Sequence, residues 1–286
     1  MESFTVFLTI VLSLLSISAH EIGHALAMHA CRVPIEKISL LGFGPALLKF
    51  RLHRLFGDAV LGVHLIPLGA FVKPDEITME LLSPREQIFI FGAGPLASFA
   101  YAATMILISL IGVNVVTDVR DWGDQFNLFQ LFGLPSTTHG IAALACMGIL
   151  LAVVTIPRFV TRFLILPIGL YVLWGFLQAL FLNPLQSVGG PALVITLGGS
   201  LFSTLIESDY GIWAAPIVAG LLSGLLGLFN SIPLNLLDGG QITRTYIGIF
   251  NERASRIFAK VTNAFLLGVI VLALSTDIRY LLFGFE

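Results

Sequence analysis

The sequence predicts an all-α polytopic membrane protein of about six transmembrane helices, with a small membrane-associated β-hairpin or sheet between the first and second spans. Of its 286 residues 57% are hydrophobic and 11% are charged, less than half the share of roughly one quarter usual in soluble domains. Mean hydropathy is +0.95. Apolar stretches recur at the length of about 17–25 residues that crosses some 30 Å of hydrocarbon. Thirteen of the fifteen Lys and Arg residues fall on one alternate set of loops, as a fixed membrane orientation requires.

The spans are expected near 4–30, 88–112, 140–157, 163–182, 212–237 and 261–282. "MESF" at the start has neither a basic region nor a small-residue cleavage site, so 4–30 reads as a retained span and not a removed signal peptide. Between the first two spans, "KISLLGFGPALLKFRL" and "DAVLGVHLIPLGAFVK" alternate apolar and polar residues, with glycines at bends. They read as two strands within 38–73, and their charges exclude a plain span. Loop 113–139 carries Asp118, Asp121 and Asp124 and is too short for a separate module of ordinary size. Segment 183–211 contains the apolar, glycine-bearing "PALVITLGGSLFSTLI" and is expected to be re-entrant or interfacial on the outer side. With no internal repeat and no long polar tail, 1–286 reads as one membrane domain.

The basic loops are 31–87, 158–162 and 244–260, against Arg120 and Arg279 on the other side. Positive residues stay inside, so the first set is assigned to the cytoplasm and both termini to the outside. A net charge of −2 suggests no nucleic-acid partner. Cys31 and Cys146 form no pattern, which implies neither a disulfide framework nor a thiolate metal site.

The first span ends in "SAHEIGHALAMHA". On a helix His20 and His24 lie one turn apart on the same face, where two imidazoles can hold one zinc ion. Glu21 is then placed to take a proton from zinc-bound water. His29 lies on the opposite face and is a poor third ligand. A cluster of membrane histidines can also hold helices together or carry protons, but an ionisable group at mid-membrane costs about 2.5–3.5 kcal/mol on insertion scales and is rarely idle. A catalytic zinc usually takes three protein ligands. Asp238, in "LFNSIPLNLLDGGQI", is the acidic residue inside a later apolar segment and lies at a similar depth by topology. Alone it would read as a helix cap before Gly239 and Gly240; with the histidines it reads as the third ligand. A polar cavity open to the cytoplasm is expected to bring water to the zinc; His53 and His64 are candidates to line it, but a simple place at the loop surface is the preferred reading. Two other functions fit membrane His, Glu and Asp residues: a transporter or ion pathway, and an inactive scaffold that binds membrane helices.

These motifs, in this order, resemble those of the site-2 protease family of intramembrane zinc metalloproteases. The resemblance rests on "HEIGH" (His20 to His24), "GFG" (Gly42 to Gly44), "IPLGAFVKPDE" (Ile66 to Glu76), "GAGPLAS" (Gly92 to Ser98) and "NSIPLNLLDGG" (Asn230 to Gly240). It covers 1–112 and 212–260 well and 113–211 weakly. It implies one zinc per chain on His20, His24 and Asp238, with Glu21 as general base. It implies that 38–73 forms a β-structured loop dipping into the membrane. It also implies that Asn230, Pro233, Gly42, Gly44, Leu68 and Gly69 meet the substrate. That substrate would be a membrane-anchored protein, such as a single-span protein, an anti-sigma factor or a signal-peptide remnant, cleaved in regulated intramembrane proteolysis. The bacterial cytoplasmic membrane is the expected location, with the active site toward the cytoplasm. PDZ modules and a nucleotide-sensing domain, present in many relatives, are not expected. Two positions depart from the family pattern: Asn235 stands where a second proline is usual, and Ser98 where asparagine is frequent.

Overall fold

A computed structural model describes residues 2–41, 43–51, 59–66, 69–116, 165–182 and 211–283. Helix α1 (Glu2–Ala30) leads into four strands, β1 (Ile35–Leu41), β2 (Phe43–Arg51), β3 (Val60–Ile66) and β4 (Phe71–Pro74). A short α2 (Glu76–Leu81) and a long α3 (Pro84–Val116) follow. The remaining described elements are α4 (Ile165–Leu182), α5 (Ala214–Ser231), α6 (Asp238–Phe250) and α7 (Glu252–Phe283).

Among the described residues, four helical stretches are long and apolar enough to cross a membrane: Phe4–Ala30, Pro84–Ser109, Ala214–Ser231 and Glu252–Ser275. Helix α4 contributes a shorter apolar stretch, Ile165–Gly175. The span expected at 140–157 lies outside the described residues, as do most of loop 113–139 and of segment 183–211. Two boundaries shift for physical reasons. Helix α5 stops at Ser231 because Pro233 disfavours helical backbone at the residue before it, and Ile232 is extended, with φ −63° and ψ 136°. Helix α7 starts at Glu252, well before the expected position 261, with its first turn held by Asn251, whose side-chain oxygen accepts from the Ala254 N–H at 3.0 Å.

The strand region is a four-stranded sheet and not a two-stranded hairpin. Its order is β2-β3-β1-β4, with β1 and β3 parallel in the middle and both outer pairings antiparallel. Each alternating stretch read as one strand forms two. Between β3 and β4, Gly69 has φ 90°, a conformation that favours glycine. The inner face of the sheet presents Ile35, Ile38, Leu61 and Val72 to Ala25, Ala27 and Met28 of α1 and to Ile90 of α3. This burial fixes the sheet beside the last turns of α1.

Helices α1, α3 and α5 pack mutually and form the centre of the bundle. Lipid gives apolar side chains no drive to associate, so close approach of small residues and interhelical hydrogen bonds must hold such helices. Both are present. The Tyr101 hydroxyl donates to the Leu12 carbonyl at 2.8 Å, and the Ser109 hydroxyl to Trp213 at 2.6 Å. Gly23 lies so near α3 that a Cβ there would stand 2.5 Å from the Ala93 carbonyl oxygen and 2.6 Å from the Ala97 Cβ. Gly23→Ala is therefore expected to force α1 and α3 apart and to destabilise the fold by about 1–3 kcal/mol, measurable as a lowered thermal midpoint in detergent.

Candidate metal centre

Three side chains from two distant parts of the chain meet inside the bundle. His20 and His24, both buried, project from one face of α1. Asp238 is the first residue of α6. The His24 Nδ1 donates to the Ile90 carbonyl at 2.8 Å. A carbonyl only accepts, so in the neutral ring the Nε2 carries the lone pair. The His20 Nδ1 is 2.9 Å from the Ser98 hydroxyl. The two Nε2 atoms stand 3.3 Å apart, and Asp238 Oδ2 lies 3.1 Å from His20 Nε2 and 3.4 Å from His24 Nε2. That Oδ2 is buried and has no partner besides the two imidazole nitrogens.

The donor set fits zinc on two counts. Ligands held about 2.0–2.1 Å from a tetrahedral zinc stand roughly 3.3–3.4 Å from one another, close to the separations found here. Space is also kept open for an ion: a Cβ on Gly94 of α3 would press directly on both Nε2 atoms. Among the described residues, His20, His24 and Asp238 are the His, Cys, Asp or Glu group able to hold a metal, their ligand atoms all within 4.8 Å.

The geometry of Asp238 comes from its loop. The cap of α6 is Leu237, and no side chain caps the helix, so the Asp238 carboxylate is not used as a cap. Residues 232–237 fold back tightly. The Leu237 N–H reaches the Leu234 carbonyl at 2.8 Å, and the Gln241 amide donates to the Asn235 carbonyl at 2.5 Å. Side chains at 239 or 240 would collide with the main chain of Ser231 and Leu234, which explains the two glycines after the aspartate.

Glu21 is half-buried and close enough to His24, His20 and Asp238 for their charges to act on it. The Val72 N–H of β4 is hydrogen-bonded to its carboxylate. His29 is exposed in the last turn of α1, away from the cluster. Asn230 donates to the Leu226 carbonyl of its own helix at 3.0 Å, and Pro233 is buried in the turn after α5. Gly44 lies in β2 and Gly69 before β4, while Gly42, Leu68 and His53 lie outside the described residues. The surface position expected for His64 is wrong. Its side chain is buried, because its ring folds over Gly62, which offers no side chain to push it outward.

Sequence reasoning did not find the α3 side of the site. Ile90, Gly94 and Ser98 are spaced by four residues and share one helix face. They supply in turn the carbonyl for His24, the open space at the ligands and the hydroxyl for His20. The spacing of small residues in "GAGPLAS" was the available signal.

Fold and site together define a class: a multi-span helical membrane protein with a His-His-Asp cluster and a glutamate beside it. The chain belongs to peptidase family M50, whose model matches residues 7–274. It is 36% identical over 116 residues to "Protease RseP" of Yersinia pestis, covering 36% of this chain and 25% of that protein. Over the same length it is 34% identical to "Regulator of sigma-E protease RseP" of Escherichia coli K12, again 25% of that protein. Cj1068 of Campylobacter jejuni, provisionally named a zinc metalloprotease, is 33% identical over 113 residues, covering 33% of this chain and 28% of its own. The chain thus spans about a quarter of the length of the curated relatives it matches.

Gly94→Ala is expected to weaken zinc binding by at least about 100-fold, since a methyl group would occupy the space before both Nε2 atoms. Competition with a calibrated chelator measures this, and an unchanged helical circular-dichroism signal would show that the bundle persists.

Proposed function

We propose that the protein is an intramembrane zinc metalloendopeptidase that hydrolyses peptide bonds within or beside the transmembrane segment of membrane-anchored proteins. The observation that carries this reading is the meeting of His20 Nε2, His24 Nε2 and Asp238 Oδ2 within 3.1–3.4 Å, with Glu21 next to them. One zinc per chain would be held by these three atoms. When bound, it supplies Lewis-acid chemistry, acidifying a water molecule and polarising the scissile carbonyl.

The chain's own residues supply the rest. Glu21 takes the proton of the attacking water and passes it to the leaving amide nitrogen. A membrane helix hides its carbonyls in hydrogen bonds, so the substrate must unwind locally and find new partners. Among the described residues strand β4 is an outer strand of the sheet and is assigned as the strand that a substrate segment would add to; the Val72 N–H on it faces Glu21. A peptide paired there would run past the general base. Gly44, Gly69, Asn230 and Pro233 are assigned to substrate binding, and so, by the family motifs alone, are Gly42 and Leu68, which lie outside the described residues. Water would enter from a cavity of about 640 Å³ between α2, α3, α6 and α7, lined by Gln87, Gln241, Arg244 and Thr245. Gln241, which lines this cavity, is one turn beyond Asp238 on α6.

The charge bias of the loops supports a cytoplasmic-membrane enzyme with both termini outside and the active site near the cytoplasmic face. Two relatives are named as regulators of a sigma-E factor, which supports a substrate of the anti-sigma type, with signal-peptide remnants as the second class. The chain forms a single membrane-embedded unit, in which 38–73 dips toward the site.

Glu21→Gln should keep about one zinc per chain by elemental analysis and lose cleavage of a membrane-anchored reporter by about 10²–10⁴-fold. Retained cleavage in that variant would remove Glu21 from the role of base. Val72→Pro deletes the main-chain donor to Glu21 while keeping extended backbone. It should lower kcat/KM at least about tenfold with zinc content unchanged, while Val72→Ala should stay near wild type; equal rates in all three would exclude a role for the Val72 N–H in holding the general base.

A further inference from the structure

We infer that Ser98 is a positioning residue for the metal ligand His20, and that the hydroxyl itself, more than the packing around it, sets the affinity of the site for zinc. This inference rests on the metalloprotease reading above.

The two histidines are held in different ways. His24 is fixed by the Ile90 carbonyl, a main-chain acceptor that no substitution removes. His20 depends on one side chain. Its Nδ1 lies 2.9 Å from the Ser98 hydroxyl, and Ser98 is fully buried, so no water can stand in for a lost partner. With an acceptor at this point, the Nδ1 keeps its proton and the Nε2 lone pair faces Asp238. Without one, a buried N–H is left unpaired and the ring loses its reason to stay in this orientation. Partners of this kind on a ligand's far nitrogen typically change metal affinity 10–100-fold.

The placement of Ser98 is itself braced. Ser223 of α5 donates to the Ser98 carbonyl at 2.9 Å, and it too is fully buried. Three helices are thereby joined in series: α5 to the main chain of α3, and the side chain of α3 to a ligand on α1.

The full-length chain in detergent allows the test. Zinc affinity is measured by chelator competition for wild type, Ser98→Ala, Ser98→Thr and Ser223→Ala, alongside thermal midpoints. Ser98→Ala should bind zinc about 10–100-fold more weakly, while Ser98→Thr, which keeps the hydroxyl, stays within about threefold of wild type. Ser223→Ala should lower the midpoint yet hold zinc within about threefold, because it touches only the main chain of residue 98. The inference is overturned if Ser98→Ala binds as wild type does, if Ser98→Thr falls as far as Ser98→Ala, or if Ser223→Ala falls as far. Failure of wild type itself to bind zinc would instead sink the metalloprotease reading.

Discussion

Three electron-rich atoms forced to face one another are the constraint on which this structure turns. His20 Nε2, His24 Nε2 and Asp238 Oδ2 meet within a few ångströms inside an apolar bundle. In so low a dielectric, acceptors without a donor repel strongly, and the arrangement is stable only with a cation or proton between them. The fold is shaped to keep them there. Gly94 clears the space, the Ile90 carbonyl and the Ser98 hydroxyl turn the imidazoles, and the 232–237 turn aims the aspartate. Removing any of these would let the groups relax apart.

Helix α1 links this centre to the sheet. The face that carries His20 and His24 looks into the bundle, while Ala25, Ala27 and Met28 pack against β1 and its neighbours. Glu21 lies between the two, beside the ligands and hydrogen-bonded to β4. One helix therefore sets the distance between the place where a peptide backbone could pair and the place where a carbonyl would be attacked. Such positioning of reactants is a large share of what an active site contributes.

Much of this was legible in the sequence because its signals were local. The four-residue spacing of His20 and His24 reports one helix face, and apolar runs report spans without any tertiary knowledge. Asp238 was legible by elimination, as an acid inside an apolar segment. What could not be read depends on neighbours distant in the chain. Nothing local says that Ile90, Gly94 and Ser98 face α1 and not lipid, since both surroundings accept small and apolar residues. His64 was misplaced for a similar reason: alternation puts it on one sheet face but does not say that the face is covered. The strand count went wrong between Leu41 and Phe43 and between Ile66 and Phe71, because in a sequence a glycine that bends a strand and one that ends it look alike.

Asn235 carries a consequence for how the last helix is held. Its backbone N–H donates to the Thr262 hydroxyl and its side-chain amide to Asn263, both at 3.3 Å, pinning the turn before Asp238 to α7. A proline at 235 has no N–H to give, and so no use for a hydroxyl at 262 or an amide at 263. Both bonds are lost together if residue 235 is proline, and the last helix is then tied to the turn before Asp238 by packing alone.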